Sequence, residues 1–353
     1  MDRDPVVRGT RLNAPLISRR AALRAGGLTA AGLAGAALVG CGGGSPAAAP
    51  TSPPASTGAA VATPEVRRGG TYRQGMTGAF AGVDPHSSVY GGATIVPLVH
   101  TYLFRKEVLR QDLGLQYDLA TSHRLAEDQV TWTFNLREDA RVAPNAAGVP
   151  ERSLDAEDVV ESFKRMADPD SGSNAYAFFA NWVERFDAPD PQTVRLVTKR
   201  PYAWVEEALG DALRGAIVPR EWLAEGGDAL KTSAVGAGPF MLGTLAEGSE
   251  AVVARNPNFY DPQLPRLDRY HIIAYQDQAT YRTAFAADQL DVYYAQNREE
   301  AEELERTVDD VLRMEVQSTG FNSFWMRTDT PPWDDERVRR AVNRVMDRQQ
   351  YVD

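Results

Sequence analysis

The chain is 353 residues long, carries a formal net charge of −10 and contains one cysteine, Cys41. An acidic balance of this size argues against a nucleic-acid partner, which would call for a basic face. A lone cysteine excludes a disulfide framework, so an ordinary apolar core, long enough for two or more domains, must hold the body together.

Residues 1–40 follow the order of a secretory signal: a basic stretch, an apolar stretch, then small residues. The basic stretch holds Arg3, Arg8, Arg11, Arg19, Arg20 and Arg24. At 1.5 Å per residue the apolar run 25–39 spans about 22 Å, short of the roughly 30 Å of a hydrocarbon core. Ser18-Arg19-Arg20 fits a twin-arginine export signal, although Ala22 stands where an aromatic or Leu is commoner. Leu38-Val39-Gly40-Cys41 resembles the lipobox of bacterial lipoproteins, which implies cleavage before Cys41 and acylation of its thiol. The alternative is a buried or free thiol beside an uncleaved helix. Residues 41–67 are rich in Gly, Ser, Pro, Ala and Thr, with too little apolar surface to offset ordering. As a flexible tether they would reach roughly 28 Å.

The body begins with a strand after Gly69-Gly70 and a turn at Asp84-Pro85-His86. The apolar run 96–104 reads as helical. Residues 130–137 alternate apolar and polar throughout, the pattern of a half-buried strand. Asp155 can N-cap a helix with Asp158 in the capping-box position, and Val159, Phe163 and Met166 line one face before Asp168-Pro169 ends it. Further strands are predicted at 193–197, 240–245, 251–255, 270–275, 291–294 and 311–316, with a fragment at Ile217-Val218. Helices are predicted at 202–213, 280–287 and 298–307. Strands dispersed among helices give an α/β body with more than one sheet. Residues 335–351 form an amphipathic helix whose apolar stripe has nothing after it to pack against, so the natural polypeptide is expected to continue.

No metalloprotease motif, nucleophile elbow, P-loop or dinucleotide fingerprint is present. Gly236-Ala237-Gly238-Pro239-Phe240 has the outline of a phosphate loop, but Pro239 points to a turn into a strand. His86, His100, His123 and His271 lack ligand spacing and read as surface or satisfied core positions rather than a metal site. The Glu-rich run 299–303 reads as a solvated helix face. Tyr176, Phe178, Phe179, Trp182 and Phe186 are spaced for one helix face and core packing. Phe321, Phe324, Trp325 and Trp333 read equally well as a cleft wall or as plain core.

From Gly69 onward the chain resembles the family 5 extracellular solute-binding proteins, the peptide- and nickel-type receptors of ABC importers. The resemblance rests on four blocks in order. Gly69-Gly70-Thr71 and Asp84-Pro85-His86 form the first. Trp132-Thr133-Phe134-Asn135-Leu136-Arg137 with Leu154-Asp155-Ala156-Glu157-Asp158 form the second. Gly236-Ala237-Gly238-Pro239-Phe240 with Arg255-Asn256-Pro257-Asn258-Phe259-Tyr260 form the third. Trp333-Asp334-Asp335-Glu336-Arg337 with Met346-Asp347-Arg348 form the fourth. Phe259-Tyr260 replaces the commoner Tyr-Trp, and the loop 141–153 lacks the usual Asp-Gly pair.

The resemblance implies an α/β, two-lobed periplasmic-binding-protein-like (type II) fold with a domain inserted in the first lobe. The first lobe would take 68–100 and 219–321, the inserted domain 101–218, and a second lobe, mostly missing, would start within 322–353. Ligand-facing positions would be Tyr90, Gly91, Tyr176, Tyr294, Phe321 and Asn322. The implied function is a lipid-anchored receptor on the outer face of the cytoplasmic membrane that delivers a small solute, a dipeptide or oligopeptide, to ABC permease subunits in the membrane. No catalytic residue, cofactor or metal ligand is implied. The competing readings are an exported hydrolase or redox enzyme, and a structural or sensory lipoprotein.

Overall fold

The computed structural model describes residues 15–18, 68–79, 82–87, 91–106, 114–212, 215–314 and 325–347. Cys41, Arg19, Arg20, Tyr90, Phe321 and Asn322 lie outside the described residues, so the lipidation, export-signal and crossing positions are not placed. Two main sheets organise the rest. The larger comprises β1 (Pro15–Ser18), β2 (Thr71–Thr77), β9 (Phe240–Ala246), β10 (Glu250–Arg255), β11 (Arg269–Tyr275), β12 (Val292–Tyr294) and β13 (Val311–Arg313). Their order is β13-β1-β12-β2-β11-β10-β9. β2 is parallel to both its neighbours, β11 and β12. The smaller sheet, β5 (Ala120–Leu125), β6 (Thr131–Leu136), β8 (Thr193–Thr198) and β7 (Val183–Asp190), is antiparallel throughout. A short pair, β3 (Phe104–Lys106) with β4 (Leu115–Tyr117), precedes it.

The alternation read at 130–137 is realised in β6, where Trp132, Phe134 and Leu136 are buried. Helix α2 (Ala156–Ala167) lies over this sheet and buries Val159, Phe163 and Met166. It has the expected capping box: Asp155 accepts from the N–H of Glu157 and Asp158, and Asp158 accepts from the N–H of Asp155. Such a cap contributes about 1 kcal/mol. Asp158 is fully buried because Arg152 grips both its oxygens, at 2.6 and 2.7 Å, while the Arg220 N–H donates to it at 2.9 Å. The loop without its Asp-Gly pair is closed by Asn145, which donates to the carbonyls of Ala143 and Val149 and accepts from the Val149 N–H.

Several expectations need correction. The run 96–104 is not one helix: α1 spans Gly91–Val99, Thr101 bridges Ile217, and Phe104 opens β3. Leu103 and Phe104 belong to the large core cluster around α2, so packing overrides helical propensity there. The helix predicted at 202–213 is only α4 (Val205–Leu209), preceded by α3 (Tyr176–Trp182). Helix α4 ends at Gly210, where a Cβ would stand 3.0–3.2 Å from Leu115, Phe104 and the Glu206 carbonyl, so glycine is required at the cap. Phe186 lies on β7 rather than on the helix carrying Tyr176, though it still meets Phe163 and Phe179 in the core. Short helices α5 (Arg220–Glu225) and α6 (Gly227–Thr232) and the strands β3, β4, β5 and β7 carried no clear sequence signal.

The remaining helices are α7 (Gln278–Ala286) and α8 (Arg298–Thr307), which match their predictions closely, and α9 (Glu336–Val345), which ends six residues before the predicted 351, with 348–351 outside the described residues. Asp277, Asn297 and Asp335 cap them. No residue of α9 is buried, and Trp325 before it is 88% exposed. The acidic face of α8 is solvated as expected, apart from Glu300, which accepts from the Tyr293 hydroxyl and the Gln296 N–H.

Candidate functional site

The three parallel strands β11, β2 and β12 all end at the same side of the larger sheet. In open α/β sheets, ligands bind in the crevice beyond the carboxyl ends of such strands. Here those ends are Tyr275, Thr77 and Tyr294. The side chains of β12 alternate. Tyr293 is fully buried among α7 and α8, where its hydroxyl meets Gln278 and Glu300. Tyr294, next in the chain, is 39% exposed on the opposite face, and its N–H donates to the Tyr281 hydroxyl. Burial raises the hydroxyl pKa of Tyr294, and of Tyr72 and Tyr270 near the amino ends of β2 and β11, so all three phenols are neutral. Tyr72 and Tyr270 meet edge-on at 5.0 Å, and Tyr270 donates to the Gln74 side chain.

After β2 the chain turns through residues 82–87 toward Gly91, the first residue of α1. Asp84 organises this turn. One of its oxygens accepts from the N–H groups of His86 and Ser87, and both accept from Arg165 of α2, at 3.0 and 2.6 Å. Burial alone would raise the Asp84 pKa, but the Arg165 hydrogen bonds and the His86 N–H outweigh it, and the carboxyl is held below its usual range.

The His86 Nε2 lies 2.8 Å from the Ala216 carbonyl and its Nδ1 lies 2.8 Å from an Arg165 nitrogen. Because guanidinium only donates and a carbonyl only accepts, the ring must be the neutral Nε2–H tautomer. Burial, with the Arg165 charge adding to it, lowers the His86 pKa to about 4. His100 is also buried, with neither ring nitrogen hydrogen-bonded, and its pKa falls to about 3. His86 is therefore a satisfied core histidine as read from sequence, and His100 is core but unsatisfied. The other two histidines pair with carboxylates, His123 with Glu206 and His271 with Glu250. Among the described residues no three His, Cys, Asp or Glu side chains converge as a metal site.

The Asn174 N–H donates to the His86 carbonyl at 2.9 Å, which brings the loop before α3 against the Asp84 turn. Tyr176, two residues on, opens α3 and is 38% exposed. Of the six expected ligand-facing positions, three are thus described: Gly91 at the start of α1, Tyr176 at the start of α3, and Tyr294 at the end of β12. The clasp of Asp84, His86 and Arg165, against which the loop before Tyr176 is held, has no sequence signal. Arg165 is one more basic residue in the last turn of an amphipathic helix, and nothing in the sequence pairs it with a turn 81 residues earlier. Hollows elsewhere, such as the one of about 530 Å³ along α7 beside Gln278, Arg282 and Glu300, include neither Tyr176 nor Tyr294.

The profile described as "Bacterial extracellular solute-binding proteins, family 5 Middle" matches residues 114–353, well over half of the chain. The chain belongs to this family. Among curated proteins, this family 5 protein is 28% identical over 239 residues to the probable D,D-dipeptide-binding periplasmic protein DdpA of Escherichia coli K12. That match covers 67% of this chain and 44% of DdpA. It is 26% identical over 249 residues to di/tripeptide-binding protein 2 of Pseudomonas aeruginosa, covering 66% of this chain and 46% of the relative. The chain therefore spans about half the length of the curated relatives it matches.

Two solved structures establish the fold as that of the type II periplasmic binding proteins. One is the Helicobacter pylori binding protein DppA in complex with the peptide STSA: TM-score 0.62, 20% identity, 68% of this chain and 49% of that chain. The other is MoaA from A. tumefaciens R10 in complex with mannopinic acid: TM-score 0.67, 23% identity, 81% of this chain and 57% of that chain.

Proposed function

We propose that this family 5 protein is the exported, lipid-anchored receptor of an ABC importer, that it binds a dipeptide or short oligopeptide, and that it hands it to a membrane permease. The observation that supports the reading is the shared ending of the parallel strands β11, β2 and β12, the place where open α/β sheets bind ligands, with Tyr294 exposed at the end of β12. Tyr176 is also part-exposed, at the start of α3 after a loop hydrogen-bonded to the Asp84 turn. The neutral, part-exposed phenol of Tyr294 suits an amide-rich solute held by stacking and hydrogen bonds, with closure of a second lobe burying it. The names of the curated relatives, which include dipeptide, di/tripeptide and glutathione binders, support a peptide over other solutes. The division into a first lobe at 68–100 and 219–321 and an inserted domain at 101–218 belongs to the same proposal, as does the anchor at Cys41 behind a twin-arginine signal.

The test is calorimetry on the receptor expressed from its whole natural reading frame, titrated with a set of di- and tripeptides. One-to-one binding without peptide hydrolysis is expected, weakened about tenfold or more by Tyr294→Ala or Tyr176→Ala, since losing a buried aromatic contact costs over 1 kcal/mol. Absence of binding across the set, or release of free amino acids, would overturn it.

A further inference from the structure

Arg165 does more than neutralise a buried carboxylate. Its guanidinium reaches both oxygens of Asp84, at 3.0 and 2.6 Å, and Nδ1 of His86, at 2.8 Å, so one planar fork fixes two residues of the turn at 84–87. The chain that leaves α2 then comes back to the same turn. Asp168 ends α2 and caps the short 3-10 turn Pro169–Ser171, accepting from the Asp170 N–H. Gly172 follows in the left-handed conformation, φ 69°, a position that glycine takes without strain. A Cβ there would stand 4.0 Å from that of Ser87, so the loop runs directly alongside the turn. Asn174 then donates its N–H to the His86 carbonyl at 2.9 Å. His86 is thus held by its ring from α2 and by its carbonyl from the loop after α2. What hangs on this circuit is Tyr176. Helix α3 starts from Ala175 with no side-chain cap, so the loop sets its first turn: the Ser173 hydroxyl accepts from the Ala175 N–H at 3.1 Å, and Asn174 is tied to His86. Ala175 and Phe179 are buried while Tyr176 projects, part-exposed, from the first position of the helix. A shift of the loop therefore moves the Tyr176 ring directly.

We propose that Arg165 is a positioning residue for solute binding: without touching the ligand, it sets where Tyr176 stands, through the turn at His86 and the Asn174 N–H. This inference rests on the reading of Tyr176 as a ligand-facing residue. It separates charge from geometry. A lysine at 165 still neutralises Asp84, but as a point charge on a flexible stem, and it cannot hold Asp84 and His86 together in one rigid plane. Such a variant keeps the buried carboxylate paired and loses the fixed turn against which the loop before Tyr176 rests. Binding sites need their side chains locked by a supporting layer of contacts, and Arg165 supplies that layer here.

The test is a double-mutant cycle on the receptor expressed from its whole natural reading frame. Arg165→Lys, Tyr176→Ala and the pair are titrated with the tightest-binding peptide of the di- and tripeptide set. Arg165→Lys is expected to weaken binding about tenfold, the scale of one lost aromatic contact. The pair should bind no more weakly than Tyr176→Ala alone, because both changes remove the same contact. A role in stability alone would lower the urea midpoint and leave the affinity of the folded protein at the wild-type value. Asn174→Pro is the second variant. It deletes the N–H that the His86 carbonyl accepts, leaves the Arg165–Asp84 pair in place, and should reproduce both the loss and its disappearance in the Tyr176→Ala background. Wild-type affinity in Arg165→Lys and Asn174→Pro, or losses that add to that of Tyr176→Ala, would overturn the proposal. A receptor that binds none of the peptides ends the ligand reading and the proposal with it, whereas binding with additive losses ends the proposal alone.

Discussion

His100 offers a sharp test of how the Asp84 turn is held. It is buried with both ring nitrogens unbonded, and the charged or titratable groups that act on it are His86 and Asp84. Its folded pKa of about 3, lowered first by burial and then by His86, lies far below the unfolded value of about 6.5. A histidine so depressed stabilises the fold fully above its unfolded pKa and loses that contribution as pH falls toward the folded value. Between pH 7 and pH 5 the unfolded chain takes up nearly one proton that the folded chain refuses, a loss of about 2 kcal/mol. His86, with a folded pKa of about 4, adds about as much by the same sign. Asp84, also depressed, contributes stability above the unfolded carboxyl range that is lost only at lower pH, outside this window.

The perturbation is His100→Leu, which removes the titration and strands no partner, because the ring has none. At pH 7 it is expected to be near neutral or mildly stabilising. The assay is urea unfolding at pH 7 and pH 5. The loss between the two should shrink by about 2 kcal/mol relative to wild type. His86→Leu, by contrast, strips bonds to Ala216 and Arg165 and should destabilise at both pH values. A His100→Leu protein whose pH 5 to pH 7 difference equals that of wild type refutes the reasoning.

Arg165→Met should cost about 3–5 kcal/mol, read as a lowered urea midpoint, because it leaves the nearly buried Asp84 carboxylate without its cation. Gly238→Ala should cost about 1–3 kcal/mol in the same assay, since its Cβ would come within 2.6–2.8 Å of the Val99 carbonyl and the His100 backbone.

What could be read from the sequence was whatever repeats with a local period or ends at a local cap. The strand at β6 and the helices α2, α7 and α8 announce themselves by alternation or by an Asp or Asn cap, and the hairpin β9–β10 by its turn at Gly248. The glycines of 236–238 were correctly read as a turn into a strand, yet their reason is tertiary: a Cβ on Gly236 would lie 2.3 Å from the Val99 carbonyl. The edge elements β3, β4 and β5 were missed because they are short or half-exposed, and their residues satisfy no period of their own.

The candidate site shows the same division more severely. Tyr294, Tyr176 and Gly91 alike are nominated only by the family resemblance, since no local period or cap marks them. What ties the loop before Tyr176 to the turn at 84–87 is long-range: Asp84 to Arg165, and the His86 carbonyl to the Asn174 N–H. Neither bond has a spacing signature, since any buried carboxylate can be neutralised by any arginine that the fold delivers. Burial itself is the constraint. Asp84 could not remain charged at that depth unless α2 presented Arg165 to it, so the placement of the turn at 84–87 and the packing of α2 against it are a single structural fact.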